Sequence, residues 1–256
     1  MGVPRISIRK CSYQEIQSLR KLYLQEQNCQ IRYDSCHWRG WADHYALSQE
    51  EKLIGYGAVK GLEELSDRDT IFEVYILPPF RGLSSNCLSV LLDSSGARYM
   101  EAQTNDLQTT QLLCQDCEHI RSDVILFEDA MQTDFPDQGT TFRKRRPTDL
   151  VFGKQSDKDE YVLLLNDQVV AAGGFLLHYN EPFADLYMEV DPEHRRKGYA
   201  ALILQEIKKA CYLAGRIPAA RCNISNPGSK ASLLKAGFKI VGCMVTGEIK
   251  SNHGVN

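Results

Sequence analysis

The chain has 256 residues, of which 43% are hydrophobic and 25% are charged, and its formal net charge is −3. This length allows one large domain or two small ones, and the slightly acidic balance gives no support for general nucleic-acid binding. No apolar run approaches the roughly 20 residues that a membrane span requires, and residues 1–6 contain no apolar signal segment.

Nine cysteines are spread along the chain, an odd number that suits free thiols in a reducing compartment better than a disulfide framework. We therefore predict a cytoplasmic protein with neither a membrane nor a nucleic-acid partner. Cys114 and Cys117 form a CxxC pair, but a structural zinc site takes four ligands and no second pair has a standard spacing. No metal is predicted.

The first half of the chain reads as strands alternating with helices. Ser12 and Glu15 fit a capping box that begins a helix after a strand at 6–9. The elements predicted next are strands at 45–48, 53–59 and 71–77, a helix at 84–94, a strand at 98–103 and a helix at 105–117.

Residues 29–44 contain two tryptophans and two histidines. His37 and His44 are seven residues apart and would share one face of a helix. A half-buried amphipathic segment is the simpler interpretation, and a substrate-covering segment with an aromatic wall is the alternative.

A polar stretch at 129–158 reads as a connector between two halves. Its basic run at 143–146 is explained better by solvent exposure or by pairing with flanking carboxylates than by a nuclear signal. Beyond it, strands at 161–165 and 169–177 form a predicted hairpin.

The most informative stretch is a strand, a basic turn and a helix between Leu186 and Gly215. The strand ends at Asp191-Pro192, and the turn carries Arg195, Arg196, Lys197 and Gly198. Unpaired N–H groups and the dipole at a helix N-terminus favour an anion, and a glycine lets the anion approach the backbone. A multiply charged phosphate is therefore predicted here, although neither a Walker A loop nor a dinucleotide fingerprint is present.

The order Arg195-x-x-Gly198-x-Ala200 resembles the acyl-CoA pyrophosphate loop of the GNAT superfamily of N-acetyltransferases. Downstream, a strand at 219–224 is followed by Asn226-Pro227, a short helix and Gly237-Phe238, which is similar to the end of the GNAT core. The close resemblance covers residues 160–249. It implies an α/β (α+β) fold with a mixed, mostly antiparallel sheet and flanking helices.

The resemblance also implies acetyl-CoA as co-substrate and an amine acceptor, either a small molecule or a peptide. The resemblance assigns twelve residues to cofactor binding: Met188, Glu189 and Val190 on the central strand, Arg195, Arg196, Lys197, Gly198, Tyr199, Ala200 and Ala201 in the loop and helix start, and Asn226 and Ser229 as contacts to the pantetheine arm.

The general base is less well specified by the sequence. Asp185, Tyr187 and Glu189 share one face of the strand, whereas the positions where family enzymes often carry Glu or His are apolar here. Glu189 is the first candidate base and Asp185 the second, although either carboxylate could simply be salt-bridged or solvated. The tyrosine that many members use as general acid falls at Leu233, so the thiolate leaves unaided, Asn223 orients a water, or catalysis has been lost.

The first half repeats the same order of features. Arg81 matches Arg195 at an offset of 114, and Asn105 matches Asn226 at an offset of 121. The positions that match Gly198 and Ala200 are Ser84 and Asn86, so the first copy has lost the small residues of the loop.

We therefore predict two fused GNAT-like halves, a degenerate one at 1–128 and one with the acyl-CoA loop at 159–256, joined by the connector 129–158. An acyl-CoA-dependent N-acetyltransferase is the expected function. The alternatives are a non-catalytic acyl-CoA-binding module and a pseudo-enzyme that binds a partner protein.

Overall fold

The computed structural model describes residues 5–27, 29–156 and 158–251. The chain forms two compact units. Unit 1 comprises residues 1–29, 33–123 and 242–256, and unit 2 comprises residues 30–32 and 124–241. Within the described residues, no helix is both long and apolar enough to cross a membrane.

The elements of unit 1 are β1 (Ile6–Cys11), α1 (Tyr13–Gln27), α2 (Asp34–Trp38), β2 (Ala42–Gln49), β3 (Lys52–Lys60), β4 (Thr70–Ile76), α3 (Ser84–Ser95), β5 (Tyr99–Gln103) and α4 (Leu107–Asp116). Its first five strands pair in the order β1-β2-β3-β4-β5, and these pairs are antiparallel except for the parallel pair between β4 and β5.

The elements of unit 2 are β6 (Cys117–Asp129), which enters the unit at Val124, β7 (Thr140–Lys144), β8 (Tyr161–Leu165), β9 (Gln168–Leu176), β10 (Phe183–Val190), α5 (Tyr199–Leu213), β11 (Ile217–Asn223), α6 (Pro227–Lys235) and β12 (Phe238–Ile249), which leaves it after Val241. They repeat the arrangement of unit 1: β7, β8, β9 and β10 pair antiparallel in that order, and β10 pairs parallel with β11. The predicted mixed, mostly antiparallel α/β architecture is confirmed.

The last strand of each unit comes from an unexpected part of the sequence. In unit 1, Met244–Glu248 of β12 pairs antiparallel with β5. In unit 2, Val124–Glu128 of β6 pairs antiparallel with β11. The compact units therefore differ from the predicted ranges 1–128, 129–158 and 159–256, because the C-terminal strand belongs to unit 1 and β7, inside the predicted connector, pairs with β8 in unit 2.

Local sequence signals account for most element boundaries. The Ser12 N–H donates to Glu15 Oε1 over 2.9 Å at the start of α1, as a capping box requires. Asn226 Oδ1 accepts from the Ser229 N–H over 3.0 Å and begins α6, while Gly237 follows its end with φ +87°. The basic run is also explained locally, because Arg143 donates to both carboxylate oxygens of Asp149.

Two details differ from the sequence interpretation. Helix α4, predicted at 105–117, begins at Leu107 after its cap Asp106, whose carboxylate accepts from the Thr109 N–H over 3.1 Å. The two histidines do not share a helix face, because His37 lies on α2 and His44 on β2. Their ring nitrogens nevertheless lie 2.9 Å apart.

The hydrophobic cores lie between the helices and the strands of each unit. In unit 1, α3 and α4 cover one group of buried side chains, which includes Leu88, Leu91 and Leu113, and α1 covers another, which includes Ile16 and Tyr23. In unit 2, Ile203 and Ile207 of α5 are fully buried. This packing fixes the N-terminus of α5 at the end of β10.

Candidate functional site

The sheet of unit 2 opens between β10 and β11. Their parallel pairing covers only Phe183–Leu186 against Ile217–Ala220, whereas β10 stays paired with β9 as far as Val190. Residues 187–190 therefore have a strand on one side and an opening on the other.

The hydrogen-bond pattern shows which main-chain groups face that opening. The Asp191 N–H donates to the Val170 carbonyl over 3.0 Å, so alternate residues of β10, including Glu189, direct their main-chain groups toward β9. Met188 and Val190 direct theirs toward the opening. The predicted main-chain role is therefore supported geometrically for Met188 and Val190 but not for Glu189, which contributes its side chain.

The turn after β10 is held by its own side chains. Asp191 Oδ1 accepts from the Glu193 N–H over 3.1 Å, and Arg195 Nε donates to the Val190 carbonyl over 3.2 Å. Gly198 is the N-cap of α5 with φ +94°, a conformation that glycine adopts readily, and no side chain caps the helix. The first N–H groups of α5 therefore point out of the helix without a side-chain acceptor.

The opening and the turn border one cleft of 730 Å³. Eleven of the twelve predicted cofactor residues line it: Met188, Glu189, Val190, Arg195, Arg196, Gly198, Tyr199, Ala200, Ala201, Asn226 and Ser229. Lys197 is exposed and does not line the cleft.

Five lining residues were missed by the sequence reasoning: His194, Gly228, Ala231, Ser232 and Lys235. Four of these recur at helical spacing on α6, a period that could have identified its cleft-facing side. Lys235 adds a third cation to those of Arg195 and Arg196, and its Nζ lies 5.6 Å from the centroid of the Phe135 ring. The cleft thus combines basic side chains with an uncapped helix N-terminus, as anion binding requires.

The candidate catalytic residues occupy different environments. The Glu189 side chain is 65% exposed on the wall of the cleft, 4.0 Å from Arg195 Nη2. Asp185 is buried outside the cleft lining and accepts from Arg221 Nε over 3.0 Å, and Arg221 also donates to the Tyr179 hydroxyl. Burial raises the pKa of the Asp185 carboxyl, while Arg221 opposes that change.

The hydrogen bonds of Asn223 give no support for its predicted role in orienting a water. Its Oδ1 accepts from both the N–H and the hydroxyl of Ser225, at 2.8 and 2.6 Å, and so holds the turn between β11 and α6. Leu233 is buried and supplies no hydroxyl. Among the candidates, only Glu189 combines an ionisable group with access to the cleft.

Unit 1 has the same framework with the opening filled. Its parallel pairing stops at Ile71–Met100, and Arg81 Nε donates to the Ile76 carbonyl over 3.4 Å, as Arg195 does to Val190. Here, however, Gln108 Oε1 accepts from the Ile76 N–H over 3.3 Å. The Thr109 hydroxyl, which donates to Asp106 Oδ2 over 2.7 Å, also lies 3.4 Å from the Val74 carbonyl.

The arginine of the matching turn in unit 1 is also paired with a carboxylate. Arg81 forms an ion pair with Glu26, and both line a cleft of 590 Å³. Asp106 and Asn226 cap equivalent helices, so Gln108 corresponds to Gly228, two residues after each cap. The side chain that fills the opening in unit 1 is thus replaced by a glycine in unit 2.

Comparison with known proteins agrees with this geometry. The sequence model of the acetyltransferase (GNAT) family matches residues 126–238. No curated protein matched the sequence.

Three solved structures share the fold over nearly the whole chain. A GNAT-family acetyltransferase from Colwellia psychrerythraea has a TM-score of 0.76 at 16% identity, covering 95% of this chain and 100% of that one. A GCN5-related N-acetyltransferase from Sphaerobacter thermophilus has a TM-score of 0.59 at 14% identity, covering 98% of each chain. A tandem GNAT protein from the clavulanic acid biosynthesis pathway has a TM-score of 0.61 at 10% identity, covering 98% of this chain and 100% of that one.

The family match falls on the unit with the open cleft, and the fold match extends over both units. Residues 126–238 therefore match the model of the acetyltransferase (GNAT) family, and the chain has a fold similar to that of a tandem GNAT protein.

Proposed function

We propose that unit 2 binds acetyl-CoA and transfers its acetyl group to an amine, either a small molecule or a peptide. The observation that carries the proposal is the open edge of β10 beside the uncapped N-terminus of α5. A pantetheine arm carries amides that pair like a short strand, and a pyrophosphate matches the helix terminus. Both features border one cleft.

The cofactor would be held by three sets of groups. Met188 and Val190 offer main-chain hydrogen bonds to the pantetheine arm. The N–H groups at the start of α5 would bind the pyrophosphate, with Arg195 and Arg196 adding charge. Charge-assisted hydrogen bonds contribute roughly 1.5–3 kcal/mol each, so a few of them suffice for micromolar binding. Because Asn226 Oδ1 caps α6, its amide nitrogen is the group left for the ligand.

The reaction is a direct substitution at the thioester carbonyl. The amine nitrogen forms a bond to the acyl carbon, the carbon–sulfur bond breaks, and the sulfur leaves as a thiolate. The nitrogen gives up one proton, which Glu189 would accept directly or through a water, and the thiolate takes up one proton from solvent. The Met188 N–H would stabilise the oxyanion that forms between these steps, while the Val190 N–H, about 7 Å further along the strand, stays with the pantetheine arm.

Asp185 is the weaker candidate for the base. Its carboxylate is buried and paired with the partly exposed Arg221, and protonation of Asp185 would leave Arg221 without its counter-charge. We interpret Asp185 as a residue that stabilises the β10–β11 pairing.

Non-catalytic acyl-CoA binding is the second candidate function. It is favoured by Leu233, which provides no general acid at the position where related enzymes carry tyrosine. The two functions share the cleft and differ only in turnover.

The experiment that tests the proposal has two parts. Calorimetric titration of acetyl-CoA into the full chain measures binding, and release of free CoA thiol in the presence of a panel of amines measures turnover. Binding with turnover supports the transferase, whereas binding without turnover supports the second candidate. Absence of binding would refute both.

We also interpret the chain as two copies of one unit, as the predicted halves 1–128 and 159–256 imply. The matching bonds of Arg81 and Arg195 and the matching caps Asp106 and Asn226 support this interpretation. The free cysteines suit a reducing compartment, so we place the reaction in the cytoplasm.

A further inference from the structure

Unit 1 contains a chain of buried polar side chains that the acetyl-transfer proposal does not use. Glu73 on β4 is fully buried and accepts from Arg20 Nε and from the Tyr56 hydroxyl, both over 3.0 Å. His37 Nε2 lies 3.3 Å from Glu73 Oε2, and His37 Nδ1 lies 2.9 Å from His44 Nε2. Glu73, His37 and His44 therefore form a line across the unit.

This line favours one tautomer of each histidine. Glu73 Oε2 lies 3.3 Å from His37 Nε2 without hydrogen-bond geometry, and a carboxylate beside this nitrogen favours a proton on it over a lone pair. His37 Nδ1 then accepts from His44 Nε2. Burial lowers the pKa of both rings, to about 4 for His44, so both are neutral near pH 7. In this tautomer, His44 Nδ1 is left as a hydrogen-bond acceptor.

Both histidines lie on the wall of a cleft of 560 Å³. We call it the imidazole cleft, and the residues that line it are Tyr13, Gln14, Gln17, His37, Trp38, Gly40, Ala42 and His44. The Tyr13 ring packs against His37 and His44 with centroid distances of 5.2 and 5.6 Å and so holds them in place.

The chemistry of this wall restricts what it would bind. The described residues that line the cleft include no Asp, Glu, Lys or Arg, so an ion would be desolvated without a counter-charge. The side chains of Gln14 and Gln17 both donate and accept hydrogen bonds, while His44 only accepts. Trp38 is 61% exposed and offers a flat apolar surface.

A neutral ligand with several hydroxyls and one apolar face satisfies each of these features. Its hydroxyls donate to His44 and exchange hydrogen bonds with the two glutamines, and its C–H face packs on the Trp38 indole. We propose that the imidazole cleft of unit 1 is a saccharide-binding site. It is independent of acetyl-CoA binding by unit 2.

The test is a fluorescence titration of the full chain. Trp38 and Trp41 are its two tryptophans, so a Trp41→Phe background isolates the signal of Trp38 in the cleft. The probes are cellobiose and N,N′-diacetylchitobiose, with choline as a cationic and acetate as an anionic comparison. We expect a saturable change in emission with at least one disaccharide and none with either ion.

Variants locate the ligand. Gln14→Ala lies on an exposed position of α1 and should weaken saccharide binding about fivefold without affecting folding, as expected for one neutral hydrogen bond. His44→Phe keeps a ring against Tyr13 but removes the acceptor, and should weaken binding by at least as much. Leu213→Ala, 90% exposed on α5, is the matched control and should change nothing.

Three results would overturn the proposal. They are failure of both disaccharides to bind, saturation by choline or acetate instead of a saccharide, and unchanged affinity in the folded Gln14→Ala variant. Isothermal calorimetry on the wild-type chain provides the same comparison without fluorescence.

Discussion

The role of Gly228 in the cleft of unit 2 can be tested by replacing it with the side chain that fills the opening in unit 1. Gly228 corresponds to Gln108, whose Oε1 accepts from the Ile76 N–H over 3.3 Å. In a Gly228→Gln variant, the new amide is expected to accept from the Val190 N–H in the same way. It would then occupy the edge of β10 that we assign to the pantetheine arm.

The magnitude follows from the bonds that are exchanged. Acetyl-CoA would lose one neutral hydrogen bond, worth about 1 kcal/mol, and would have to displace a side chain that has gained a similar one. A combined loss of about 2 kcal/mol corresponds to a roughly 30-fold higher Kd. A Cβ at Gly228 would meet only Asn226 Oδ1 at 3.7 Å, so the fold accommodates it, and replacing glycine in α6 favours the helix by about 0.5 kcal/mol.

Calorimetric titration of acetyl-CoA, with Tm measured in parallel, separates lost binding from lost folding. Gly228→Ala is the matched control, since a methyl group cannot reach Val190, and its Kd should stay within about twofold of the wild type. The reasoning is refuted if Gly228→Gln binds like the wild type, or if Gly228→Ala weakens binding equally.

The other predictions concern the base, the anion site and the first helix. Glu189→Gln should lower the rate of thiol release and remove from its pH–rate profile the step that reports deprotonation of a carboxyl group. An unchanged rate and pH–rate profile would exclude Glu189 as the base. Gly198→Glu should abolish acetyl-CoA binding in a binding assay, because it adds an anion beside the pyrophosphate at a residue with φ +94°. Gly215→Glu is the control, since it places the same side chain at φ +73° away from the cleft and should bind acetyl-CoA normally. Equal losses of binding in the two variants would mean that backbone strain, not the added charge, is the cause. Arg9 holds the pKa of Glu15 at about 2, so this carboxylate stabilises the fold above pH 4.5 and its contribution is lost as the pH falls toward 2. In acid-unfolding experiments, Glu15→Gln should make the free energy of unfolding less dependent on pH over that range. A pH dependence parallel to that of the wild type would contradict this role of Glu15.

Local signals in the sequence were sufficient for the elements that build the site. The cap at Asn226, the stop at Gly237 and the turn around Gly198 each depend on the conformational preference of one residue, and the structure shows all three. Eleven of the twelve cofactor residues predicted from these signals therefore line one cleft in the structure.

Features that depend on distant pairing were not accessible in this way. Nothing in the local pattern of β12 indicates that it pairs with β5, and β7 was hidden in a polar segment because its neighbours, rather than its own hydrophobicity, make it a strand. His37 and His44 meet across a helix and a strand, so their spacing of seven residues suggested the wrong geometry. The general base was equally undetermined, because strand alternation gives the face of a carboxylate but not its partner, such as Arg221 for Asp185.

The pairing of β12 with β5 has a consequence for any shortened form of the protein. A chain that stops after Val241 would retain every described residue of unit 2, yet it would strip Met244–Glu248 from unit 1. The bare edge of β5 would then present unpaired N–H and C=O groups, a template for association with other chains. Damage at the C-terminus would thus appear as aggregation through a segment encoded more than a hundred residues earlier, while unit 2 kept all of its described residues.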